Sequence, residues 1–156
     1  MGYIDSHLVV ELQNNWFEVV IIDDLSNSSL DILDRIFEIT GKKLLFEKID
    51  LKEKKSVIDF FKRHDDIDGI IHFAASKAVG ESVDNPLKYY ENNIHSLVYL
   101  LQEINKLASQ TLIFSSSCTV YVQADELSIS EQAPIKLPES PNVKTKQISK
   151  QLIKKQ

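Results

Sequence analysis

Three consecutive serines, Ser115, Ser116 and Ser117, stand directly behind Thr111-Leu112-Ile113-Phe114. The four leading residues are apolar or β-branched and read as a buried parallel strand. Open α/β sheets bind ligands at the carboxyl ends of such strands. Hydroxyls placed there can donate to and accept from a sugar or a ribose. A serine-rich turn after a strand has the same composition, so the cluster alone does not decide. Acids close two other apolar runs: Asp23 ends Glu18 to Asp23, and Asp50 follows Leu44 to Ile49. Cys118 follows the serines but has no His or Asp run beside it to make a thiolate nucleophile, and reads as a small buried side chain. His72 lies inside a strand pattern and reads as a packed core residue. His7, His64 and His95 have no metal-ligand spacing. Lys144, Lys146, Lys150, Lys154 and Lys155 could face an anionic partner, but a solvated helix face is the simpler reading.

Positioning these groups takes alternating strands and helices. Leu8, Val9 and Leu12 suit a short helix that starts almost at Met1. Residues 18–23 form a strand. Residues 29–40 form an amphipathic helix with Leu30, Leu33, Ile36 and Ile39 near one face and Gly41 as its stop. A strand at 44–49, a helix at 52–64 with Val57, Ile58, Phe60 and Phe61 inward, and a strand at 69–74 follow. Pro86 opens a long helix to about Leu107. It is apolar on more than one face, so it is buried or lies at a subunit contact. The serine strand comes next, then a loop over 122–143, then a basic helix over 144–156. This order predicts a parallel sheet covered on both faces, an α/β doubly wound fold.

Composition narrows the function classes. At 156 residues the chain is one domain's worth, with 43% hydrophobic and 26% charged residues as in soluble globular proteins. A net charge of −5 argues against a nucleic-acid binder. A lone cysteine excludes an internal disulfide and fits a reducing compartment, so a cytoplasmic location is expected. No apolar run is long enough to span a membrane, and the N-terminus lacks the basic region and cleavage site of a signal peptide.

Five segments in order carry a resemblance: GYIDSH from Gly2, VVIIDDLSNSS from Val19, IIHFAASKAVGES from Ile70, PLKYYENN from Pro86 and FSSSCTVY from Phe114. Together they resemble UDP-glucose 4-epimerases of the extended short-chain dehydrogenase superfamily. The resemblance runs over essentially the whole chain and implies a partial NAD-binding Rossmann-like domain over 1–156. It implies tightly held NAD and interconversion of UDP-galactose and UDP-glucose through a 4-keto intermediate, in galactose metabolism. Residue by residue, Gly2, Tyr3 and Ile4 match the turn under the NAD pyrophosphate. Asp23 matches the acid that bonds the adenosine ribose, with Asp24, Asn27 and Ser28 as neighbouring contacts. Asp50 and Leu51 match the adenine pocket. Phe73, Ala74, Ala75 and Lys77 match the segment beside pyrophosphate and nicotinamide, and Asn92 and Ser115 match further cofactor contacts. Ser117 matches the catalytic serine. Lys146 matches the lysine that holds the nicotinamide ribose and lowers the pKa of a tyrosine four residues earlier. The resemblance also implies a UDP-sugar partner, no metal, and a homodimer through the helices at 86–107 and 144–156.

The sequence departs from this family where chemistry is densest. The position of the catalytic tyrosine is Asn142, an amide with no accessible basic form. Tyr121 is a conceivable substitute, although the family has a tyrosine there with another role. The third fingerprint glycine is Asp5, which places a carboxylate beside a pyrophosphate. Trp16 stands where the family has a glycine after the first helix, and Val122 replaces another glycine. The first strand and the C-terminal substrate region are missing from the matched pattern. Removing that strand leaves the strands at 18–23 and 69–74 about 10 Å apart, two strand spacings, with unpaired edges facing each other. The expectation is an epimerase by descent that is weak or inactive in isolation. The alternative is a non-catalytic NAD-binding or structural remnant.

Overall fold

The computed structural model describes residues 1–107, 111–121, 128–130 and 132–155. Val122 and most of the predicted 122–143 loop's first part lie outside the described residues, as does Gln156. The chain divides into two compact units, Met1–Asp50 and Leu51–Gln156.

The first unit is built from helix α1 (Tyr3–Asn14), strand β1 (Val20–Asp23), helix α2 (Asp31–Thr40) and strand β2 (Leu45–Lys48). β1 and β2 pair in parallel, with Val20 opposite Leu45 and Asp23 opposite Lys48. Its core is Met1, Val9, Ile21 and Ile36, with Val10, Val19, Ile32, Leu33, Leu44 and Phe46 partly buried against it. The predicted face of α2 is only half used: Ile36 is buried and Leu33 partly so, while Leu30 and Ile39 are exposed. Gly41 ends α2 at φ 67°, the left-handed cap expected of it. A buried Gln13 ties the two helices, since Thr40 Oγ1 donates to its Oε1 at 2.8 Å.

Trp16 ends α1 at φ 67°, so the strain expected of a side chain at a glycine position is present. Lys42 offsets part of it, with Nζ 4.1 Å from the ring centroid and a hydrogen bond to the Gln13 carbonyl. The left-handed conformation costs about 1–2 kcal/mol for a non-glycine residue. An exposed cation–π contact returns only about 0.5–1 kcal/mol. Trp16→Gly is therefore expected to raise the unfolding free energy of this unit slightly, by up to ~1 kcal/mol, read by denaturant unfolding followed by circular dichroism; a lowered value would contradict the strain.

The second unit contains helix α3 (Lys54–Arg63), strand β3 (Gly69–His72), helices α4 (Val79–Asp84), α5 (Pro86–Tyr90) and α6 (Ser96–Ile104), strand β4 (Thr111–Phe114) and helix α7 (Pro141–Lys154). β3 and β4 pair in parallel, with Gly69 opposite Thr111 and His72 opposite Phe114. Val57, Phe60 and Phe61 of α3, Tyr89 of α5, and Leu97, Leu100, Leu101 and Ile104 of α6 form the buried apolar set, with Val120 and Val143.

Among the described residues the strands pair two by two, β1 with β2 and β3 with β4. The fold class is α/β with parallel strands, as expected. Several element bounds differ from expectation by a few residues, and three differences bear on the site. β3 stops at His72 rather than 74. The long helix from Pro86 is helical to Ile104 but opens into one π turn, Glu91–His95. α7 begins at Pro141, because Ser140 accepts from Val143 N–H at 3.4 Å and proline suits the first helical turn.

Candidate functional site

In the first unit, Asp23 closes β1 and organises the turn behind it. Its Oδ1 accepts from Leu25 N–H at 2.8 Å and from Ser28 Oγ at 2.7 Å. Its Oδ2 is ion-paired with the Met1 ammonium. Burial alone would raise the carboxyl pKa, but the bonds from Met1, Ser28 and Leu25 outweigh it and hold the group below its ordinary value. Asp24 caps the same turn, accepting from Ser26 N–H at 2.9 Å. Leu25 sits at φ 61°, a strained conformation that the sequence does not announce. Asn27 is exposed and Asp50 half-buried at the end of β2's run.

Gly2, Tyr3 and Ile4 open α1 and are exposed. Asp5 folds back on them: its Oδ2 accepts from Gly2 N–H at 2.9 Å. A Cβ built on Gly2 would lie 3.1 Å from Asp5 Oδ1. The amide of the N-cap residue is thus already bonded to a carboxylate of the chain itself.

In the second unit, the turn after β3 carries Phe73, Ala74, Ala75, Ser76 and Lys77. Asn93, buried in the π turn, clamps it. Its Oδ1 accepts from Ser76 N–H at 2.8 Å, and its Nδ2 donates to Ser76 O and to Thr145 Oγ1, each at 3.0 Å. Asn92 Nδ2 donates to Ser76 Oγ at 3.1 Å. The π turn therefore connects the turn bearing Lys77 to α7, which bears Lys146. Sequence reasoning singled out Asn92 and missed Asn93, Ser76 and Thr145. The signal was the Asn-Asn pair, whose second member a regular helix would have placed differently.

Lys146 is half-buried. Its Nζ donates to the Ser115 carbonyl at 3.1 Å and lies 5.0 Å from the Phe114 ring centroid. Burial lowers its pKa. His72 is buried as expected and stacks on Phe114 with centroids 5.9 Å apart. Burial, helped by the Lys146 charge, pushes its pKa down to about 4. Ser117 Oγ shares a 2.8 Å hydrogen bond with Thr119 Oγ1. Cys118 is exposed, contrary to the buried side chain expected, because the short 3-10 turn Cys118–Tyr121 buries Val120 instead.

Asn142 is 6% exposed and donates from Nδ2 to the Lys77 carbonyl at 3.3 Å. Its Oδ1 is buried and has no partner among the described residues. It has a hydrogen-bonding amide and nothing that removes a proton. The Tyr121 phenol accepts from Lys150 Nζ at 3.3 Å. Among the described residues, no His, Cys, Asp or Glu cluster could hold a metal ion, and no helix is long and apolar enough to cross a membrane.

Taken unit by unit, the groups present suit parts of a dinucleotide in kind. The first unit has a carboxylate closing β1, with the Asp5 charge at the start of α1 opposing a phosphate there. The second has an ammonium behind the serine strand and an asparagine beside the turn after β3.

The family described as GDP-mannose 4,6 dehydratase matches residues 1–155. A UDP-glucose 4-epimerase of Bacillus subtilis is 46% identical over 134 residues, covering 86% of this chain and 39% of its own length. The bifunctional protein GAL10 of Candida maltosa is 44% identical over 139 residues, 88% of this chain and 89% of that sequence. The crystal structure of UDP-glucose 4-epimerase from Bifidobacterium longum, in complex with NAD+ and UDP, superposes with a TM-score of 0.94 at 37% identity, over 99% of this chain and 46% of that one. The chain thus spans less than half the length of the epimerases from Bacillus and Bifidobacterium. It belongs to the GDP-mannose 4,6 dehydratase family and corresponds to the N-terminal part of the UDP-glucose 4-epimerases.

Proposed function

We propose that this chain is a partial NAD-binding domain of UDP-glucose 4-epimerase type that holds the cofactor without epimerising a sugar. The observation that carries the reading is Asn142, a buried amide four residues before Lys146, at the place of the family's tyrosine. When bound, NAD supplies the hydride acceptor for the sugar's C4. The chain's own residues would do the rest. Asp23 would accept from the adenosine ribose hydroxyls, with Asp24, Asn27, Ser28, Gly2, Tyr3 and Ile4 around it and Asp50 and Leu51 toward the adenine. Lys146 would hold the nicotinamide ribose, beside Ser115, Phe73, Ala74, Ala75, Lys77 and Asn92. Ser117 would hydrogen-bond the sugar's 4-hydroxyl. No group in this set takes that hydroxyl's proton, so a UDP-sugar would leave unconverted.

A cytoplasmic location and a place in galactose metabolism belong to the same reading, as does a homodimer through 86–107 and 144–156. Leu97, Leu100, Leu101 and Ile104 already serve the unit's own core, so the pairing face would use the other residues of those helices.

The test is the NAD affinity of the wild type against Asp5→Asn. Asparagine keeps an acceptor for Gly2 N–H and removes the charge. Two unit charges about 4 Å apart repel by roughly 1–4 kcal/mol at the dielectrics near a surface. The variant is expected to bind NAD at least about fivefold more tightly, with adenosine affinity unchanged. Equal NAD affinities would remove Asp5 as the opposing group, and no NAD binding by either protein would overturn the proposed function.

A further inference from the structure

We propose, resting on the cofactor-holding role above, that Asn142 is a positioning residue. It closes a buried ring of hydrogen bonds that fixes the Ser76–Lys77 turn to α7 and so keeps Lys146 in place for the nicotinamide ribose. The amide thus has a task of its own beyond the loss of a base.

The ring lies wholly within the second unit and closes atom by atom. The Lys77 carbonyl accepts from Asn142 Nδ2 at 3.3 Å. The Asn142 backbone carbonyl accepts from Thr145 Oγ1 at 2.7 Å. That hydroxyl accepts from Asn93 Nδ2 at 3.0 Å. Asn93 in turn holds Ser76 on both sides, accepting from its N–H at 2.8 Å and donating to its carbonyl at 3.0 Å. Ser76 adjoins Lys77, which completes the circuit. Asn93, Thr145 and Asn142 are all buried.

The chemistry of each member suits its place. A carbonyl only accepts, so the Lys77 oxygen needs a donor, and the amide nitrogen supplies one. A carboxylate or an apolar side chain at 142 could not. A hydroxyl both donates and accepts, as the link between Asn93 and the Asn142 carbonyl must. Away from water such bonds strengthen one another, and leaving one unmade is costly. Asn93 projects from the π turn, an irregularity that recurs at functional sites. Lys146 follows Thr145 directly in α7, with its Nζ on the Ser115 carbonyl. The ring therefore ties the backbone that carries Lys77 to the backbone that carries Lys146. Order set in advance lowers the entropy lost when a ligand binds between such groups.

Calorimetric titrations with NAD, and with ADP, which has no nicotinamide ribose, compare the wild type with Asn142→Leu and Thr145→Val. Leucine keeps nearly the shape of asparagine and also removes the unpartnered Oδ1, so folding is retained. Valine keeps the shape of threonine without its hydroxyl. Each variant is expected to bind NAD about tenfold more weakly and ADP as the wild type does. In the ligand-free proteins, amide hydrogen exchange at Ser76 is expected to be about tenfold faster in each variant. NAD affinities equal to the wild type, an equal loss of NAD and ADP affinity, or unchanged exchange at Ser76 would each overturn the proposal. A wild type that takes up no NAD would overturn the cofactor-holding role, and the proposal with it.

Discussion

UDP-galactose incubated with the purified chain and NAD should yield UDP-glucose at least about a hundredfold more slowly than with an intact epimerase. Losing a positioned general base costs on the order of 10² to 10⁴ in rate. Asn142 supplies no replacement, because an amide is not a base near neutral pH. The remaining candidates are otherwise placed. Tyr121 bonds Lys150, and His72, though basic in principle, is buried against Phe114. Lys146 keeps its ammonium on the Ser115 carbonyl. The rate should be read against an intact epimerase at equal concentration, with the sugar products separated chromatographically. Turnover within tenfold of the intact enzyme would show that another group removes the proton.

Acidification should weaken the second unit well before its carboxylates titrate. His72 has a pKa of about 4 in the folded chain and the ordinary value near 6.5 when unfolded. Above pH 6.5 both states are neutral and the contribution to stability is complete. As pH falls from 6.5 toward 4, the unfolded state takes up a proton that the native state refuses. Stability then declines by at most about 1.4 kcal/mol per pH unit, roughly 3 kcal/mol in all. Denaturant unfolding at intervals from pH 7 to 5 checks this. His72→Gln should flatten the dependence, and an equally steep decline in that variant would assign the proton elsewhere.

Much of the fold was legible because its signals are local. Gly41 stops α2, apolar periodicity marks α3, and the serine strand announces β4. The misreadings came from tertiary context. Ile39 lies on the apolar stripe of α2 yet is exposed, since the packing partner covers only the middle of that stripe. Cys118 looked like a core residue, but the short turn after the serines directs Val120 inward instead. The site was legible as residue types at positions, and less so as a network. Lys146 and Asn142 stand out by spacing on α7. The clamp by Asn93 depends on a π turn, which widens the helix by one residue and has no compositional signature. The self-engaged states of Asp23 and Asp5 are likewise properties of the folded turns rather than of the motif.

Calorimetric titration of NAD into the purified wild-type chain tests most directly whether a cofactor cradle persists after its proton acceptor has gone. Saturable binding at one site per chain is expected, weakened at least tenfold by Lys146→Met. Heats that do not saturate, or binding indifferent to that substitution, would contradict it.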